Sequence, residues 1–292
     1  MTVAPDIALV SVFAAGPGGG NPAPVVVDAA GLSSTEMRAV AAAYGHESVF
    51  VLPPDRSGCD FTFRFFVPNH EMEMCGHATL GAVWLLNRLG RLPGTDIRIA
   101  TLSGVVEAHA APAGIEISQP RGKLDPLPDE DQSTGEILAV LGIDRTALAP
   151  QPIWNASTSR VKTLIPLKSV AILDGLRPDF GRIERVCERI GSTGLYPFAV
   201  SGNGTFDARQ FPKSSGYPED AATGIAAAAL AFGLLDSGQA AAGQPVRVRQ
   251  GRAMGRPSEI RVRFQVDSAG TVQGCWLGGD VRFEAGEQEA GH

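Results

Sequence analysis

Arg64-Phe-Phe-Val-Pro68 leading to Gly76-His-Ala-Thr-Leu-Gly-Ala82, and Arg209-Gln-Phe-Pro212 leading to Asp220-Ala-Ala-Thr-Gly-Ile-Ala226, are two versions of one pattern almost half a chain apart. Each reads as an Arg-x-Phe strand, a polar loop and a helix that starts on small residues and continues apolar nearly all round. Short strand-turn-helix units are common, so the echo alone does not settle the fold; its physical use makes it plausible. Small residues at a helix start leave the first backbone N–H groups open, and with the helix dipole those groups hold an anion. Two such starts facing one another across a cleft would clamp a substrate carboxylate from both sides.

Working outward, the flanks alternate strands with a few marked helices. Ile7–Phe13 and Pro24–Val27 read as strands joined by the glycine-rich turn Gly16–Asn21, and Ser33-x-x-Glu36 is a capping box opening a helix to about Tyr44. Strands follow at Val49–Leu52 and Phe61–Val67, then, after the helix Ala78–Leu89, at Ile97–Ala100, Val105–Ala110 and Ile115–Ser118. The Pro- and acid-rich Pro120–Asp131 reads as a linker. Beyond it Ser133-x-x-Glu136 signals a second capped helix, Val161–Pro166 and Val170–Leu173 read as strands, and Arg182–Ile190 as a helix. Phe198–Val200 and Thr205–Phe211 read as strands, Asp220–Leu235 as an Ala-rich helix, and Val246–Arg249, Ile260–Val266 and Trp276–Val281 as closing strands. The division expected is an N-terminal lobe at 1–122 and a C-terminal lobe at 123–292, with the strand at 275–284 a candidate to return to the first.

Composition bounds the function. The chain has 292 residues, with 25 Lys+Arg against 31 Asp+Glu and a net charge of −6, which argues against nucleic acid as a partner. A hydrophobic fraction of 44% with 19% charged residues is that of a folded protein, and 35 glycines with 21 prolines favour a strand-rich fold over a helical bundle. The longest apolar run, near Ala226–Leu235, is too short to span a bilayer. Cys59, Cys75, Cys187 and Cys275 form no CxxC pair and follow no signal peptide, so the reading is a soluble cytoplasmic protein with reduced thiols.

Several residues could carry chemistry. Gly16-Pro-Gly-Gly-Gly-Asn21 is not a dinucleotide loop, because a strand with two prolines follows it instead of a helix. Glu71, Glu73, Cys75 and His77 alternate and could ligate zinc on an extended strand, but Gly76 and the helix at Ala78 interrupt that alternation. A metal-free site is the preferred reading. Glu47 sits between a helix end and a strand; such a carboxylate is usually a solvated group, and becomes a base only if the strand turns it into a desolvated site. Asp220 reads as the N-cap of its helix, with a ligand-facing role compatible with that. Arg64 and Arg209 read as surface strand residues, Cys75 and Cys187 as core thiols, and His46, His70 and His109 have no evident partner.

The motifs together resemble the PhzF-like isomerase family of phenazine biosynthesis, part of the wider diaminopimelate epimerase and proline racemase fold. They run nearly end to end: Gly20-Asn-Pro-Ala-Pro24, Leu32-Ser-Ser-Thr-Glu-Met37, Glu47-Ser-Val-Phe50, Phe63-Arg-Phe-Phe-Val-Pro68, Cys75-Gly-His-Ala-Thr-Leu-Gly-Ala82, Gln119-Pro120, Glu219-Asp-Ala-Ala-Thr-Gly224, Gln250-Gly251, Gly255-Arg-Pro-Ser258 and Gly278-Gly279. The resemblance implies an α+β fold of two pseudo-symmetric lobes, each a barrel-like sheet wrapped around a central helix, with the site between them. It also implies a homodimer, and a cofactor-free isomerase that moves a proton and a double bond in a small carboxylated, often cyclic, amino-acid-like metabolite. Residue by residue it gives Glu47 the role of general acid/base and His77 and Asp220 the role of orienting the substrate. Cys75, Gly76 and Ala78 at one helix start, and Ala222, Thr223, Gly224 and Ile225 at the other, would line the substrate site. Two departures stand out. Ile225 occupies the place of the usual Ser and cannot donate a hydroxyl hydrogen bond. Cys75 matches one of the two catalytic cysteines of the racemases, but its partner, expected near Ala221, is absent. The competing readings are an epimerase using Cys75 with Glu47, a relative that binds ligand without turnover, and zinc hydrolysis.

Overall fold

The computed structural model describes residues 6–112 and 114–284. It divides into two units, Met1–Ser118 with Gly278–His292, and Gln119–Leu277. In the first, β1 (Ala8–Val12) and β2 (Asn21–Val26) form an antiparallel hairpin with Val12 opposite Asn21, as the glycine-rich turn predicts. The capping box forms as read: Ser33 Oγ accepts the Glu36 N–H at 3.3 Å, and Glu36 Oε2 accepts the Ser33 N–H at 2.8 Å. α1 (Ser34–Tyr44) then runs to Gly45, whose left-handed φ of 69° closes the helix. The chain continues through β3 (Ser48–Leu52), β4 (Phe61–Phe66), β5 (Glu71–Met72), α2 (Gly76–Arg88), β6 (Asp96–Thr101), β7 (Gly104–Ala111) and β8 (Gly114–Pro120).

The second unit contains β9 (Lys123–Pro126), α3 (Glu130–Leu141), β10 (Trp154–Ser157), β11 (Lys162–Leu167), α4 (Val170–Gly175), α5 (Phe180–Arg189), β12 (Gly194–Gly202), β13 (Thr205–Ala208) and β14 (Phe211–Pro212). It ends with α6 (Gly224–Asp236), β15 (Val246–Gln250), β16 (Ser258–Val266) and β17 (Val272–Gly278). After it, β18 (Val281–Phe283) pairs antiparallel with β1 of the first unit.

The echo in the sequence is an echo in topology. In the first unit β1–β2, β2–β3, β3–β4, β4–β6 and β6–β7 pair antiparallel, parallel, antiparallel, parallel, antiparallel. In the second, β10–β11, β11–β12, β12–β13, β13–β15 and β15–β16 repeat that series. Parallel neighbours need a crossover, and helices supply it at matching places: α1 and α2 in one unit, α4 with α5 and α6 in the other. α2 packs on β1, β2, β3 and β7, and α6 on β9, β10, β11 and β16. Both central helices are buried nearly all round, which is why their sequences lack a polar stripe. Burying Leu80 and Leu86 of α2 stabilises the unit by roughly 1.5–3 kcal/mol each.

Three local readings are corrected. The stretch Pro120–Asp131 is not a plain linker, since Lys123–Pro126 within it is a strand paired with β10. Ser133 lies inside α3, where its hydroxyl donates to the Pro128 carbonyl; the helix begins a turn earlier, with Glu130 and Asp131 favoured there by the helix dipole. Val170–Leu173 is helical rather than extended, because Ser169 Oγ accepts the Ile172 N–H at 3.3 Å and caps it. No described helix is long and apolar enough to cross a membrane.

Candidate functional site

Glu47 lies two residues past the glycine that ends α1 and immediately before β3, so a tight cap and the first sheet pairing, Ser48 opposite Phe66, hold its backbone from both sides. Its side chain is 16% exposed, and one carboxylate oxygen lies 4.0 Å from His77 Nε2. That is too long for a hydrogen bond but close enough for the charge to act on the ring. His77 is the second residue of α2 and is buried. Burial holds its imidazole below the ordinary value of 6.5, against an opposing pull from the Glu47 carboxylate and a smaller one from the Pro22 backbone. The ring is therefore neutral at pH 7.

Cys75 Sγ stands 3.3 Å from His77 Nδ1. The thiol or the ring can be the donor there, according to which ring nitrogen carries the proton, and the Nε2 edge is the one that faces Glu47. Nε2 has no hydrogen-bond partner among the described residues. Cys75 is also the N-cap of α2 but gives it no side-chain hydrogen bond, so its thiol does not occupy the helix start. Gly76 and Ala78 add no polar side chain there. The structure thus brings together Glu47, Cys75 and His77 at an uncapped helix start. It does not gather Glu71 and Glu73 with them as a metal site: Glu71 is paired with Arg64, and no group of three or more His, Cys, Asp or Glu among the described residues could hold a metal ion.

The buried neutral His77 has a consequence for stability. Its folded-state pKa lies below its unfolded value, so the unfolded chain takes up a proton first as pH falls below 6.5. Stability contributed by the neutral ring is present above 6.5 and is lost on acidification, by up to about 1.4 kcal/mol per pH unit. Urea midpoints measured between pH 7.5 and 5.5 are expected to fall less steeply for His77→Gln than for the unmodified protein. Parallel slopes would contradict the neutral assignment.

In the second unit the N-cap of α6 is Thr223, not Asp220, and it makes no side-chain cap. The Thr223 hydroxyl instead donates back to the Asp220 carboxylate, so the short polar pair satisfies itself and leaves the helix N–H groups open. Gln250, at the end of β15, organises this turn. Its Nε2 donates to the Asp220 carbonyl at 2.7 Å and to Thr223 Oγ1 at 3.2 Å, and its Oε1 accepts the Tyr196 hydroxyl at 2.9 Å and the Thr223 N–H at 3.3 Å. All four bonding positions of the buried amide are used. Burial pushes the Tyr196 phenol up, so it remains a donor. Sequence reasoning did not place Gln250 in the site, although Gln250-Gly251 is among its motifs; nothing in the spacing shows that the amide reaches Thr223. Ala222 is buried beneath the turn, and Ile225 is half-buried in the first turn of α6.

Gly251 explains why that motif has a glycine. Its φ is 78°, and an added Cβ would stand 2.2 Å from the Arg256 carbonyl oxygen and 2.7 Å from that of Ala221. Gly251→Ala is therefore expected to cost about 1–3 kcal/mol and to disturb the Asp220–Thr223 turn, read as a lower melting temperature. An unchanged melting temperature would show that the turn relaxes freely.

The remaining thiols lie elsewhere. All four cysteines are free, and burial pushes Cys187 and Cys275 up to about 12, far from a reactive thiolate. His109 does have a partner, Asp96 at 2.8 Å.

Comparison with known proteins agrees with this architecture. A family model described as phenazine biosynthesis-like protein, PhzC-PhzF, matches residues 10–279. A protein of Deinococcus radiodurans named an isomerase is 33% identical, over 94% of this chain and 91% of its own. Trans-2,3-dihydro-3-hydroxyanthranilate isomerase of Pseudomonas chlororaphis is 30% identical, over 88% of this chain and 89% of its own. The crystal structure of a Bacillus anthracis phenazine biosynthesis protein of the PhzF family shares the fold, with a TM-score of 0.83 at 23% identity over 95% of this chain and 96% of that one. A match over so much of the length, on top of two units with one topology, defines an isomerase of mixed α/β fold. The chain belongs to the phenazine biosynthesis-like, or PhzF, family.

Proposed function

We propose that the protein moves a proton, and with it a carbon–carbon double bond, within a small carboxylated and cyclic amino-acid-like molecule, using its own side chains and no cofactor. The observation that carries this reading is the Glu47 carboxylate 4.0 Å from a buried imidazole at the uncapped start of α2. Glu47 takes a proton from carbon. The electron pair left behind spreads over the conjugated system, and the Nε2–H of neutral His77 with the open N–H groups of α2 stabilises the resulting anion. The partly exposed Glu47 carboxylic acid exchanges its proton with water and then delivers a proton to another carbon of the same system, so the product is an isomer and the enzyme is regenerated. Gly76 and Ala78 keep the helix start accessible. In the second unit Asp220, Ala222, Thr223, Gly224 and Ile225 are assigned to holding the substrate, with the open N–H groups of α6 taking a carboxylate.

A relative 30% identical is named for its action on trans-2,3-dihydro-3-hydroxyanthranilate, and that compound supplies the first test. A panel of cyclic diene amino acids including it, incubated in D2O and followed by proton NMR, is expected to show one deuteron entering carbon as the double bond moves. Failure of every member of the panel to exchange would count against the proposal. The alternative of an epimerase that uses Cys75 is favoured by one observation, the 3.3 Å contact of its thiol with His77. It predicts deuterium at an inverted stereocentre with no shift of the double bond.

A further inference from the structure

Two polar side chains near the start of α6 have no role in the scheme above. Lys162, the first residue of β11, is 6% exposed, and Gln210 is 1% exposed. Neither polar atom of the Gln210 amide has a hydrogen-bond partner among the described residues. Burial weighs most on the Lys162 ammonium, and the strongest charge acting on it is that of Asp220. Buried amides and ammonium groups are normally partnered, because leaving them bare forfeits the hydrogen bonds they make in water.

Strand register places these groups on one face. β11 and β12 run parallel, with Leu164 opposite Tyr196. Leu164 faces α6, since a Cβ added at Gly233 of that helix would come within 2.9 Å of its Cδ1. Tyr196 faces the same way and reaches Gln250 at the head of α6. Side chains two residues apart on a strand share a face, so Lys162 and Gly194 continue this row. Gly194 has no side chain there, and the Gln210 amide covers it: an added Cβ would stand 2.2 Å from Gln210 Nε2. The Gln210 carbonyl also accepts the Asp220 N–H at 3.1 Å, which ties this residue to the turn before α6. Lys162, Gln210 and Tyr196 thus form a polar row leading to an open helix start.

We propose that Lys162 and Gln210 are specificity residues that bind the substrate carboxylate at the start of α6 and read an N–H or O–H group beside it. This rests on the reading that the α6 start takes the carboxylate. The ammonium and the amide N–H donate to the carboxylate together with the helix N–H groups, supplying what the apolar Ile225 cannot. Gln210 Oε1 is left to accept from a neighbouring amine or hydroxyl, so the pair selects an amino or hydroxy acid over a plain one. Burial lowers the lysine to about 8, with Asp220 acting against that, and the ammonium remains the major form at pH 7.

The test uses three probes, anthranilate, its neutral amide anthranilamide, and benzoate, titrated calorimetrically into the full chain and into Lys162→Met, Gln210→Leu and Glu47→Gln. The unmodified protein is expected to prefer anthranilate to anthranilamide by about tenfold or more, as a charge-assisted contact gives. Lys162→Met should remove that preference while binding of anthranilamide persists, which a merely structural lysine would not do. Gln210→Leu should bring anthranilate and benzoate to equal affinity. Glu47→Gln should bind anthranilate normally while losing deuterium exchange, so failure of the base assignment is distinguishable from failure of the subsite. The subsite is overturned if Lys162→Met keeps the carboxylate preference, or if the unmodified protein shows none or binds no carboxylate of the three.

Discussion

Glu47→Gln is expected to lower the rate of solvent-deuterium incorporation by about 10²–10⁴-fold, the usual worth of a general base, with melting temperature and circular dichroism unchanged. The substitution keeps the shape of a side chain that is 16% exposed and separated from His77 by 4.0 Å, so no hydrogen bond between the two is broken. Because burial keeps His77 neutral, no ion pair is lost either. What disappears is the capacity to accept a proton. Glu47→Asp keeps the carboxylate but withdraws it by one methylene, and should fall between the two. A rate for Glu47→Gln within a few-fold of the unmodified protein would remove Glu47 from the mechanism.

The second large effect concerns stability. Arg209 donates to both carboxylate oxygens of Glu219, at 2.9 and 2.7 Å, and to the carbonyls of Leu173 and Leu176, both at 3.2 Å, while stacking over Phe211. Both side chains of the pair are 9% exposed. Arg209→Met strands a buried carboxylate and removes one of the donors to each of two carbonyls at the end of α4, and is expected to cost about 3–5 kcal/mol in urea unfolding. Replacing both partners with apolar residues should recover part of that loss. Its counterpart in the first unit, Arg64 on Glu71 and over Phe66, has side chains 27% and 25% exposed. Water screens that pair and solvates the partner left behind, so Arg64→Met should cost about 1 kcal/mol or less. Equal costs at the two sites would contradict the role given to burial.

Those two arginines show what was legible in the sequence and where it stopped. The Arg-x-Phe echo was visible because strand, loop and helix start recur in order, and the topology shows why: both units build the same series of pairings around one helix. Its burial was not visible. Arg209 reads as a surface residue because its acid, Glu219, arrives through a loop whose path no periodicity encodes. Local chemistry was legible where partners are close in sequence, as in the Ser33–Glu36 box and the glycine hairpin. It misled where two local options compete. Asp220 offers a capping side chain, but the helix starts four residues later and the carboxylate is held by Thr223. Gln250 was opaque for another reason: its four bonds reach Tyr196, Asp220 and Thr223 on separate elements, and only tertiary folding brings them together.

The most direct measurement follows deuterium from D2O into the double-bond-shifted product for the unmodified protein, Cys75→Ala and Glu47→Gln, with trans-2,3-dihydro-3-hydroxyanthranilate as the test compound. A proton shuttle on Glu47 predicts label on carbon in the first two and its loss in Glu47→Gln. Label that persists in Glu47→Gln and vanishes in Cys75→Ala would contradict it and transfer the base to the thiol.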